Sequence, residues 1–126
     1  YAQRLAMREK VKPYGIHITC WFPLGGAMSN GVLFKDPAIV KIAEAHGKTP
    51  AQIILRWHMQ EGFSAIPGAS NPDYIKENIE IFDFELTDEE MTQMRGLNKE
   101  QRFFNMSLEE KERAYLGKMQ IPTQQK

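Results

Sequence analysis

Two short apolar stretches, IHITCWF at residues 16–22 and FSAIP at residues 63–67, carry the strand-like pattern of this 126-residue chain. Both are rich in β-branched and aromatic residues, and each runs into turn formers, PLGG after the first and Pro67-Gly68 at the end of the second. Each is read as a strand buried on both faces, the condition of a parallel sheet. Residues 23–62 separate them and contain helix punctuation rather than a hairpin turn, so the connection is a crossover and the strands belong to parallel βα units. Two parallel strands leave both sheet edges open and make a marginal sheet in water. The sequence therefore implies more sheet than it encodes, and it reads as a piece of an α/β domain. An opening at Tyr1 rather than methionine agrees with a fragment or processed product.

The helices are marked by their ends. QRLAMREKVK at residues 3–12 has an incomplete 3.6-residue face of Leu5, Met7, Arg8 and Val11, with Pro13 as its stop. Residues 25–36 read as a Gly/Ser/Asn loop. Asp36-Pro37 supplies an N-cap followed by proline at the first helical position, and Gly47 closes that helix after Ile39, Ile42 and Ala43. Thr49-Pro50-Ala51-Gln52 forms a capping box for a helix with Ile53, Ile54 and Trp57 on one side and a stop at Gly62. Asn71-Pro72 opens a further helix with Ile75 and Ile79 four residues apart. Thr87 and Ser107 begin two more capping boxes, the first leading Met91, Met94 and Leu97, the second ending near Gly117. The tail QIPTQQK reads as disordered. No repeat divides the chain, so residues 1–126 are one region.

Composition excludes several function classes. Sixteen basic and sixteen acidic residues balance to a net charge of zero, without the basic stripe that nucleic-acid binding requires. No apolar run approaches a membrane span, and no signal peptide is visible. A single cysteine, Cys20, cannot form an internal disulfide and points to a reducing, cytoplasmic setting. Set within an apolar strand without an adjacent base, it reads as a small buried hydrophobe. His17, His46 and His58 are scattered without metal-ligand spacing, and His58 reads as a packed or surface histidine. The junction around Pro67-Gly68-Ala69-Ser70-Asn71 is more suggestive. A helix N-terminus directly after a strand end offers unpaired amides and about half a positive charge to an anion, with small residues giving access to the main chain. The plainer reading is a capped helix with a tight entry.

At CWFPLGG, HGKTPAQIILRWHMQEGF and NPDYIKENIEIFDFELTDEEM, in that order, the chain resembles the aldo-keto reductases, and within them the bacterial group that includes 2,5-diketo-gluconate reductases. The similarity runs from Tyr1 to about Leu97, leaving residues 98–126 as the family's variable C-terminal tail. The resemblance implies a (β/α)8 TIM barrel passing a hydride between a nicotinamide cofactor and a small-molecule carbonyl substrate, with this chain as its C-terminal fragment: the last two βα units plus the helical tail. By the same resemblance, Trp21 stacks on the nicotinamide, and Leu24 and Gly25 continue the phosphate-side loop. Gly68, Ala69, Ser70, Asn71 and Tyr74 form the segment for the adenosine 2′-phosphate, and Glu77 and Asn78 match the adenine-contacting pair. Gly68, Ala69 and Tyr74 stand where most members carry lysine, serine and arginine, so the cofactor implied is NADP or NAD. Arg102, Phe103 and Phe104 fall where the tail lines the substrate pocket, with a hydrophobic anchor for the tail as the alternative. No stretch matches the family's catalytic Tyr, Lys, Asp and His motifs, and Tyr1 and Tyr14 lie in the wrong context. The fragment alone is thus expected to be catalytically silent. A non-catalytic, self-associating remnant is the other expectation.

Overall fold

The computed structural model describes residues 1–103 and 105–116. Its sheet consists of two parallel strands, β1 (Thr19–Trp21) and β2 (Ser64–Ile66), with Thr19 opposite Ser64, Cys20 opposite Ala65 and Trp21 opposite Ile66. The helices are α1 (Leu5–Val11), α2 (Pro37–His46), α3 (Pro50–Gln60), α4 (Pro72–Ile79), α5 (Asp88–Gly96) and α6 (Leu108–Lys111). The parallel crossover expected from residues 23–62 is present, carried by α2 and α3.

The strands differ from expectation in length and burial. Each has only three residues, and half-buried Cys20 and Ala65 alternate with exposed neighbours. Trp21 is 66% and Ile66 55% exposed, so the face of the sheet that carries them is largely open. The expected burial on both faces is therefore not met: Cys20 and Ala65 are half-buried, while Thr19, Trp21, Ser64 and Ile66 are exposed. Ile16, at the start of the predicted strand, is likewise exposed.

The core lies among the helices. Leu33, Ile39, Ile42, Ala43, Ile53, Ile54, Trp57, Leu86, Met91 and Met94 form one buried cluster, with Leu24, Phe63, Phe84 and Phe103 packed at its border. Three punctuation signals operate as read. Asp36 caps α2 by accepting from Ala38 N, and Thr49 and Thr87 form reciprocal capping boxes with Gln52 and Glu90. Helix α3 exceeds the one-sided burial expected for it: every residue from Gln52 to Leu55 and on through His58 is buried. Helix α1 has no buried residue and is held by charge. Glu61, with only 3% of its side chain exposed, accepts from Arg95 Nε at 2.7 Å and from Arg8, whose guanidinium also lies over the Phe63 ring.

The presumed loop at 25–36 is more ordered than its composition suggests. It contains two 3₁₀ turns, Ala27–Ser29 and Val32–Lys35. Gly25 is required there: its φ is +87°, and a Cβ would meet the Ser29 side chain at 2.7 Å. Similarly, Pro13 does not end α1 outright, because the chain continues through a 3₁₀ turn at Lys12–Tyr14 and reverses at Gly15. Ser107 caps α6 as expected, and a π turn follows at Glu112–Leu116. The expected helix end near Gly117 and the QIPTQQK tail lie outside the described residues. Among the described residues, no helix is long and apolar enough to cross a membrane.

Candidate functional site

The parallel register brings two sequence-distant candidates together. Trp21 pairs with Ile66, so the aromatic that ends β1 stands beside the strand end leading through Pro67 and Gly68 into α4. Asn71 takes extended backbone angles and its side chain accepts from Asp73 N at 2.9 Å, which starts α4. A Cβ built at Gly68 would meet nothing within 4 Å, and Ser70, Asn71 and Tyr74 are exposed. The main chain at this junction is thus open to approach.

The junction's residues face different ways. Ala69 and Asn78 line an open apolar groove of about 570 Å³ with Pro67, Pro72, Ile75, Lys76 and Ile79. Glu77 does not line this groove; its carboxylate accepts from the Thr49 hydroxyl at the start of α3. Asp73 is the one charged residue between Pro67 and Ile75. The next cation, Lys76, lies 3.8 Å from Glu80 in an exposed pair.

A second cavity, about 510 Å³, runs along β1 and brings together Trp21, Gly25, Arg102 and Phe103 with Tyr1 and Trp57. Trp21 meets Phe22 edge-on, with ring centroids 4.2 Å apart. Phe103 is half-buried, 6.4 Å from the Tyr1 ring, whereas Arg102 is exposed. The packing of Phe103 on the core border agrees with the anchoring alternative for the tail. Leu24 also packs against the core cluster instead of lining this cavity. Phe104 lies outside the described residues. Trp57 Nε1 and Gln3 Oε1, both on residues lining the cavity, are buried without a hydrogen-bond partner.

Titratable groups at this cavity are structural in character. His58 Nδ1 donates to the Ile54 carbonyl at 2.7 Å, and burial pulls its pKa below the ordinary histidine value. That geometry selects the packed alternative for His58. Burial raises the Cys20 thiol, opposed by Arg8, as befits a half-buried apolar position. No cluster of three metal-ligating side chains occurs among the described residues. Sequence reasoning missed two sets of contacts, Tyr1 with Asp36 and the pair Thr49 and Gln52 with the end of α4. Tyr1 Oη donates to Asp36 Oδ2 at 2.5 Å, while the other oxygen caps α2. The capping box at Thr49 was a visible signal, but its reach beyond α3 was not.

The aldo/keto reductase family matches residues 2–99, and the chain belongs to that family. It is 42% identical over 100 residues to the 9,11-endoperoxide prostaglandin H2 reductase of Trypanosoma cruzi, covering 79% of this chain and 35% of that protein. It is 41% identical over 107 residues to the morphine 6-dehydrogenase of Pseudomonas putida, covering 78% and 36%. Among solved structures, a substituted form of Gox0644 in complex with NADPH superposes with a TM-score of 0.73 at 35% identity, over 84% of this chain and 37% of that one. The chain thus spans about a third of the length of these relatives.

Proposed function

We propose that this chain is the C-terminal, cofactor-binding part of an NADP(H)-dependent carbonyl oxidoreductase of the bacterial 2,5-diketo-gluconate reductase-like group. The observation that carries this reading is the register placing Trp21 beside Ile66, directly before the open junction at Pro67–Asn71. A flat aromatic face and a helix N-terminus then lie at one end of one sheet, as a dinucleotide needs for its two halves. When bound, the nicotinamide supplies the hydride. This chain's part is to hold it: Trp21 against the ring, Gly25 in the adjoining loop, the backbone of Gly68–Asn71 at the phosphate, and Tyr74, Glu77 and Asn78 around the adenosine.

The residues present fit a dinucleotide better than they fit a 2′-phosphate. Gly68 leaves the main chain bare, but Asp73 is the only charge in residues 67–75. NADP(H) is favoured by the relative solved with NADPH. That lack of a cation supports NAD as the second reading. Arg102, Phe103 and Phe104 would shape the carbonyl pocket, and residues 98–126 would act as the variable tail. The catalytic Tyr, Lys, Asp and His set would come from the rest of the parent barrel, so the chain alone binds without reducing. A free cysteine fits a cytoplasmic setting.

Titration with NADPH and with NADH, read by the fluorescence of Trp21 and Trp57, tests the proposal. Quenching that saturates with at least one cofactor is expected, together with no carbonyl reduction. Absence of quenching with either overturns it in favour of a non-catalytic remnant.

A further inference from the structure

The capping box of α3 does more than end its own helix. Gln52 Oε1 accepts from the Thr49 amide at 3.1 Å, while Gln52 Nε2 donates to Glu77 O at 3.2 Å and Glu80 O at 3.0 Å. The Thr49 hydroxyl donates to the Glu77 carboxylate. One side chain thus serves as acceptor for the start of α3 and as donor to the end of α4, at the Glu77 carbonyl, which also accepts from Glu80 N, and at the Glu80 carbonyl that follows the helix. Gln52 is buried, at 5% exposure, so these bonds are shielded from competing water.

The placement of α4 depends on them to an unusual degree. The helix has no buried residue, and Ile75 and Ile79, its two large apolar side chains, are 53% and 64% exposed. Apolar packing therefore contributes little to its orientation. A short helix moves as a unit, so anchoring its last turn also aims its first turn and the Gly68–Asn71 segment before it.

We infer that Gln52 and Thr49 are positioning residues of the dinucleotide site: they fix α4 against α3 and hold the Glu77 carboxylate, and so set the adenosine half of the pocket. This rests on the proposed binding of cofactor at the β2–α4 junction.

Gln52→Glu separates the two duties. A carboxylate still accepts from the Thr49 amide and preserves the cap, but it cannot donate to Glu77 O or Glu80 O. Thr49→Val removes the hydroxyl, and Thr49→Ser retains it. Each variant of the full chain is titrated with NADPH and with 2′,5′-ADP, with helical circular dichroism recorded alongside. Gln52→Glu is expected to weaken both ligands by the same factor, about tenfold, at unchanged helicity, the scale of one or two lost hydrogen bonds. Thr49→Val is expected to weaken both, and Thr49→Ser to restore them. Wild-type affinity in Gln52→Glu, or in Thr49→Val should Gln52→Glu fail to fold, overturns the inference. So does a loss confined to NADPH, which would place the effect outside the adenosine half. If the unsubstituted chain binds neither ligand, the cofactor reading itself fails and takes this inference with it, a result visible before any variant is made.

Discussion

Gly68 and Tyr74 are the positions where single side chains decide most. Gly68 does not adopt a positive φ, and nothing lies within 4 Å of its Cβ direction, so a larger residue fits without strain. Tyr74 is 60% exposed on the first turn of α4. Introducing Gly68→Lys with Tyr74→Arg is expected to favour NADPH over NADH by about tenfold or more, because each charge-assisted contact contributes roughly 1.5–3 kcal/mol. The ratio of the two dissociation constants measures it, and an unchanged ratio would place the 2′-phosphate elsewhere. Tyr1 offers a pH test. Its bond to Asp36 raises the phenol from 10.0 to about 12. A raised folded value means the bond's stabilisation is complete below pH 10 and is lost as pH rises through about 12. Ultraviolet titration is expected to show a late tyrosine step that Tyr1→Phe removes.

Among elements, the segment between α4 and α5 is tied down by polar bonds. Arg56, 9% exposed, donates to Ile81 O at 3.2 Å, to Gln60 Oε1 at 3.1 Å and to Glu85 Oε1 at 3.1 Å. These contacts are unequal. Arg56→Met leaves the Ile81 carbonyl without this donor, at a cost of about 1–3 kcal/mol. Glu85 is 82% exposed along its side chain, so Glu85→Ala is expected to cost under about 1 kcal/mol. Urea denaturation of both variants checks the order, and equal losses would contradict it. Element ends were the most legible part of the sequence, because Asp36, Thr49, Thr87 and Ser107 act through neighbours two or three residues away. What Gln52 and Arg56 bind beyond α3 was not legible, since those partners lie 25 to 29 residues distant. The same limit hid the bond between Tyr1 and Asp36, while Trp21 was found through motif resemblance, the junction through its strand end and helix start, and the two were joined only by the register.

For the whole molecule, apolar surface is distributed unevenly. Trp21 and Ile66 on the sheet, and Ile75, Ile79 and Phe82 on and after α4, are all more than half exposed. Both strands also lack a further neighbour among the described residues, which leaves ladder groups available to another chain. We propose that the isolated chain self-associates. Sedimentation is expected to show mass rising with concentration, and Ile66→Lys with Ile79→Lys to shift the distribution towards monomer; a concentration-independent monomer in the unsubstituted chain would refute this. The burial of α3 on every side has the opposite consequence for the interior. Through Gln52, Arg56, Gln60 and Glu61 this helix touches elements that come both before and after it in the chain. It serves as the keel of the fragment: the periphery can loosen piece by piece, but once α3 lets go, the interior loses Ile53, Ile54 and Trp57 together with the polar ties that hold residues 77–86.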